Sequence, residues 1–160
     1  EQVVLGLVEQ GYVAEGVTLY VGYQILSKES LSSYHGPVKV NYYGRKVPPS
    51  VHGTGKLGGP TASLSRITEA VLKLYDKLVD RELEVRRMSI AAIRLSPASE
   101  VPPQLSLFAS QQDDERETAL VRAAISLHKR FGKNSLVRGM DLFEAGTTRE
   151  RNGQIGGHRR

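Results

Sequence analysis

The chain has 160 residues, 39% of them hydrophobic, with no cysteine and with 22 Lys and Arg against 17 Asp and Glu, a formal charge of +5. That length and apolar content suffice for one compact domain with tails. The lack of cysteine excludes disulfides and thiolate metal sites and fits a reducing, cytoplasmic compartment, while no apolar run approaches the roughly 18 residues of a membrane span and no secretory leader is expected.

Residues 1–9, EQVVLGLVE, read as the end of a helix, with Gly11 placed to close it in a left-handed conformation. Val17, Leu19, Val21 and Tyr23 alternate with Thr18, Tyr20 and Gly22, the period of a strand. Val38, Val40 and Tyr42 alternate with Lys39, Asn41 and Tyr43, predicting a further extended segment that Pro48 and Pro49 interrupt. The glycine-rich run from Gly53 to Gly59 comes next, and for each glycine a turn is the ordinary reading.

A helix is predicted from Ser63 or Ser65 to about Val79, because Leu64, Ile67, Val71, Leu74 and Leu78 form one stripe that needs a sheet to cover. Residues 85–95 are rich in strand formers, with Met88, Ile90 and Ala92 on one face and Pro97 as terminator. Residues 96–112 carry Pro97, Pro102 and Pro103 among Ser and Gln, a linker composition. Asp113 and Asp114 then open a last helix with acids in its first turn, His128, Lys129 and Arg130 in its last, and Gly132 beyond. Its stripe of Leu120, Ala123, Ala124, Leu127 and Phe131 is expected to pack into a core. Residues 113–145 are thus read as this helix and a strand-like extension, and residues 146–160 as a flexible tail.

Charge is unevenly distributed. Between residues 30 and 68 the charged side chains are Lys39, Arg45, Lys46, Lys56 and Arg66, five cations and no acid. A solvated basic loop and a phosphate-binding face both fit that stretch.

Signatures of catalysis are missing. GTGKLGG around Lys56 lacks the spacing of a phosphate-binding loop, and Leu57 stands where Ser or Thr is required. His35, His52, His128 and His158 are scattered without a partner at helical spacing, which argues against a zinc site. The strand-like segments hold almost no Asp or Glu for two-metal nucleotidyl transfer, and neither Ser89 nor Ser106 lies in a nucleophile elbow. No catalytic residue, metal ligand or cofactor site is therefore assigned to this chain.

One apolar island interrupts the linker: Gln104, Leu105, Ser106, Leu107 and Phe108. Leaving such leucine and phenylalanine side chains in water forgoes about 1.5 to 3 kcal/mol of burial each, so a pocket is expected to take them. Folding back onto their own domain is the ordinary alternative. QLSLF closely resembles the pentapeptide by which bacterial polymerases and repair proteins dock on the β sliding clamp, its Gln making polar contacts and its apolar residues filling a groove.

Other segments resemble the same source in the same order: VTLYVGY, KLGGPTASLSRITEAVLKLYDKL, VRRMSIAAIRL, QLSLF, RFGKNSLVRG and RERNGQIGGH. Together they resemble the C-terminal region of a bacterial Y-family, UmuC-like translesion polymerase: its little-finger domain (residues 1–95), a clamp-binding linker (96–112) and the tail beyond it. The resemblance implies an α+β fold, a four-stranded sheet with two helices on one face and template-primer DNA along the other. It also implies that the catalytic palm, fingers and thumb domains, with their Mg2+, belong to the parent polymerase outside this chain, and that the protein is cytoplasmic and nucleoid-associated. The family's first strand and the start of its first helix have no counterpart here, so one sheet edge is expected to be incomplete. The loop between residues 24 and 52 is also longer than the family pattern.

On that resemblance Lys39, Arg45, Lys46, Lys56 and Arg87 are expected to neutralise DNA phosphates without reading bases. Small residues at Gly53, Thr54, Gly55 and Ser89 would let backbone amides approach phosphate oxygens. Docking through residues 104–108 would add a tethered contact that raises processivity. The competing reading is a repair or replication adaptor that uses the same string on the clamp while its domain binds a protein.

Overall fold

The computed structural model describes residues 1–27, 33–101, 111–144 and 146–154, with the backbone alone for residues 111–114. The chain forms two compact units, Glu1–Gln104 and Leu105–Arg160.

The first unit begins with helix α1 (Gln2–Gln10), which buries Val4, Leu5 and Leu7 and packs against strands β1 (Tyr12–Tyr23) and β5 (Val85–Pro97). Gly11 ends it in the left-handed conformation expected of a terminal glycine, with φ 72°. Strand β1 starts at Tyr12, five residues before the predicted Val17, because both its edges are paired: β4 (Val51–Thr61) lies antiparallel on one side and β5 on the other. The fold is α+β, as the resemblance implies, and its main sheet has three strands among the described residues in the order β4-β1-β5.

Two predictions for the middle of this unit need correction. The extended segment expected around residues 38–43 is a two-residue strand, β2 (Lys39–Val40), which turns back to pair with β3 (Lys46–Val47). Gly44, at φ 74°, supplies the left-handed residue that the turn requires. The glycine run is no string of turns but most of strand β4, and helix α2 (Leu64–Leu78) explains its composition. A Cβ on Gly53 would stand 2.6 Å from Leu78 Cδ1, and one on Gly55 would stand 3.3 Å from Leu74 Cδ1. The glycines give α2 room to lie close on the sheet.

Helix α2 starts where its capping pattern predicts, with the Ser63 side chain accepting from the Arg66 backbone N–H at 3.3 Å. Val71, Leu74 and Tyr75 of α2 pack with Val51, Val79, Leu83 and Val85 around Leu19, Val21 and Tyr23, the core of the unit. The Tyr23 hydroxyl accepts from the Asp80 N–H at 3.0 Å, which gives that core tyrosine a partner at the end of α2. Near the other end of β4 the register with β1 jumps from Gly16↔Lys56 to Ala14↔Thr61. Gly58 and Gly59, at φ 73° and 139°, form the bulge, and the Arg66 guanidinium donates to the Leu57 carbonyl there. One of the five cations of the acid-free stretch is thereby committed to structure.

In the second unit helix α3 runs from Gln111 to Phe131 and ends at Gly132, φ 89°. Its predicted packing stripe is largely open: Leu120, Leu127 and Phe131 are 65%, 40% and 61% exposed, and among the described side chains of the helix Val121 is the one that is buried. No strand comes after it among the described residues, which corrects the strand-like extension. A 3-10 turn (Gly139–Leu142) and a short helix α4 (Thr148–Asn152) take its place, so the described part of the expected tail, through Gln154, is folded. Asn152 Nδ2 donates to Asn134 Oδ1 at 2.8 Å, Asn134 Nδ2 donates to the Arg149 carbonyl at 3.3 Å, and Thr148 Oγ1 donates to Asp141 Oδ1 at 2.6 Å. Polar side chains, rather than apolar burial, hold that segment back against the end of α3.

Candidate nucleic-acid interface

Strand alternation divides the sheet into two chemically different faces. Val17, Leu19 and Val21 of β1 are aligned with Gly55, Gly53 and Val51 of β4 and with Ala92, Ile90 and Met88 of β5; on this face α2 covers β4 and β1, while Met88 and Ile90 of β5 are 51% and 36% exposed. Gly16, Thr18, Tyr20 and Gly22 are aligned with Lys56, Thr54 and His52 on one side and with Ile93, Ala91, Ser89 and Arg87 on the other. His52, Thr54 and Lys56 are exposed, as are Arg87, Ser89 and Ala91, and Tyr20 is 41% exposed. Small and polar side chains keep this second face low, with a cation at either end.

Lys56 lies opposite Gly16 and Arg87 opposite Gly22, six residues apart along β1, which is about 20 Å of strand. At the Arg87 end the β2–β3 hairpin borders the face. Lys39, Asn41, Val47 and Pro48 of that hairpin segment line a cavity of about 460 Å³ together with Tyr20, Gly22, Arg86 and Arg87.

The residues singled out in the sequence therefore divide. Lys39 and Arg87 meet at one cavity, and Lys56 shares the sheet face with Arg87 from its far end. Arg45 and Lys46 stand on the hairpin but outside the cavity lining. All five are exposed, and among the described residues none is ion-paired with a carboxylate; the pairs of this unit include Lys73–Glu69, Arg81–Asp76 and Arg94–Glu15. Thr54 and Ser89 lie on the open face as expected, whereas the inner sides of Gly53 and Gly55 face α2. Sequence reasoning missed Arg86 and Tyr20. The available signal was the alternation of Tyr20 with buried Leu19 and Val21, which assigns it to the opposite face. Gln104, Leu105, Ser106, Leu107 and Phe108 all lie outside the described residues.

Acidic groups gather instead around the α2–β5 connection. The Tyr34 hydroxyl is held above its ordinary pKa, first by desolvation and then by the charges of Asp80, Tyr23 and Glu82. Among the described residues no group of three or more His, Asp or Glu could hold a metal ion, and no helix is long and apolar enough to cross a membrane.

Sequence comparison adds a family to this three-stranded antiparallel sheet, on which α2 covers β4 and β1 from one side and the other side is open and basic. The model of the impB/mucB/samB family C-terminal domain matches residues 1–107. The chain belongs to that family, and its matched part is the C-terminal region of a Y-family, UmuC-like polymerase. It is similar to DNA polymerase IV 2 of Bacillus subtilis (strain 168), with 35% identity over 103 residues that cover 64% of this chain and 24% of that protein. The match thus spans about a quarter of that relative's length. No solved structure matches the chain.

Proposed function

We propose that the chain is the non-catalytic DNA-gripping and clamp-docking part of a translesion DNA polymerase, whose catalytic palm, fingers and thumb domains and their Mg2+ lie outside these 160 residues. The observation that carries the reading is the open sheet face, flanked by Lys56 at one end and by Arg87 and Lys39 at the other, with no carboxylate paired to any of them among the described residues. About 20 Å between its ends corresponds to roughly six base-pair steps measured along the axis of a duplex. Apart from Tyr20 and His52 the face presents Thr, Ser, Ala and Gly, few groups for base readout, which suits a protein that must bind every sequence it copies.

Residues 104–108 supply the second contact. A clamp tether raises the effective concentration of the sheet face on primed DNA without adding chemistry, so processivity is its product. A cytoplasmic, nucleoid-associated location follows from the same reading.

Clamp binding of the full chain tests the tether. Gln104→Ala and the double change Leu107→Ala, Phe108→Ala are expected to abolish binding to the sliding clamp while leaving DNA binding intact. Clamp binding undiminished by both would refute the docking role. DNA binding tests the grip: it is expected to weaken steeply with salt and to be indifferent to sequence, whereas a protein-binding adaptor would show no salt-dependent affinity for DNA.

A further inference from the structure

The β2–β3 hairpin carries two features that phosphate gripping leaves unused. Tyr42 and Tyr43 at its tip are 96% and 79% exposed. Their rings meet edge to face, with centroids 5.4 Å apart and planes at 86°. The tip that presents them is built. Asn41 Oδ1 accepts from the Tyr43 and Arg45 N–H groups at 3.0 Å each, the Asn41 N–H donates to the Arg45 carbonyl at 2.9 Å, and the Gly44 N–H donates to the Asn41 carbonyl at 2.9 Å. Two aromatic rings are thus presented to water on a closed turn whose backbone has little freedom left to lose on binding.

The surroundings indicate what the rings meet. Lys39, Arg45 and Lys46 flank them, and no acid occurs between residues 30 and 68, so the tip suits a polyanion. Lys39 and Asn41 line the same cavity as Tyr20, Gly22 and Arg87, so the hairpin stands where the basic sheet face ends. Paired bases inside a duplex have no free ring face to offer. Unpaired bases do, and aromatic rings interleaved with cations are the usual means of holding them.

We propose that Tyr42 and Tyr43 form a stacking platform for unpaired bases of the DNA strand that leaves the duplex at the Arg87 end of the sheet face. The inference rests on the reading of that face as a phosphate surface. It adds a preference for the junction between single and double strand.

The test uses the full chain, a blunt duplex, and the same duplex with a single-stranded extension that carries a fluorescent purine. The extension is expected to raise affinity, and binding to quench the purine. The double change Tyr42→Ala, Tyr43→Ala is expected to lose the quenching and about tenfold in affinity for the extended DNA, equivalent to about 1.4 kcal/mol, with blunt-duplex binding unchanged. Tyr42→Phe, Tyr43→Phe should retain both properties. An extension that adds no affinity, or an alanine pair that weakens blunt and extended DNA equally, would overturn the platform. Failure of the unaltered chain to bind blunt duplex would overturn the phosphate face instead, so the two failures are distinguishable.

Discussion

The two faces of the main sheet are built from interleaved residues of the same strands, yet they answer to different constraints. On one, Leu19 and Val21 are fully buried and β4 contributes glycines because α2 lies directly above them. On the other, Tyr20, His52, Thr54 and Lys56 meet solvent, and nothing in the core depends on their identity. The contrast teaches that, from Val17 to Tyr23 of β1 and from Val51 to Leu57 of β4, stability resides in the odd-numbered positions, while the even-numbered positions are available for binding. Substitutions that move between neighbouring residues should therefore change which property fails.

The largest effect is expected at the centre of the covered face. Leu19→Ala should cost about 2 to 5 kcal/mol in urea unfolding, while Tyr20→Ala, one residue away, should cost about 1 kcal/mol or less. Comparable losses at both positions would break the division. Next comes Gly53→Val, which forces atoms toward Leu78 and should cost about 1 to 3 kcal/mol by overpacking, against near neutrality for Thr54→Val on the opposite face. Ser63→Ala removes the cap of α2 and should cost about 1 kcal/mol while leaving DNA binding unaltered. The smallest effect sharpens the assignment of the far side of α2. The hydrogen bond and charge of Lys73 hold the Glu69 carboxyl below its ordinary pKa. This pair favours the folded state above the unfolded pKa of Glu69, and its contribution fades as pH falls through the folded value. Lys73→Ala should return the carboxyl toward its ordinary pKa in an NMR titration, with no change in DNA affinity.

Much of the covered face was legible because apolar periodicity reports burial directly. The stripe of α2, its Ser63 cap and the Gly11 terminator all appear as read, whereas Met88 and Ile90 share the face of β5 that was read for them and yet are exposed. The glycine run misled because glycine marks turns by its freedom at positive φ, and the reason for Gly53 and Gly55 lies in Leu74 and Leu78, far along the chain. Helix α3 shows the opposite failure. Its stripe has the same periodicity as that of α2, but amphipathic spacing states what a helix could bury, not that a partner covers it, and Leu120 and Phe131 are open. The site was half legible. Lys56 and Arg87 could be nominated from charge, but their common face emerged only once residues 51–61 proved to be a strand in register with β1. The cavity shared by Lys39 and Arg87 depends on the hairpin, which short-range patterning does not reveal.

The most direct test of the open face as a phosphate surface is the salt dependence of duplex binding by the full chain, compared with Lys56→Ala, Arg87→Ala and, as a control from the other side of the sheet, Lys73→Ala. The slope of log affinity against log salt should fall by about one for each of the first two and stay constant for the third, with folding stability preserved in all. Binding that does not depend on salt, or a control that weakens it as much as the two face residues do, would contradict the assignment.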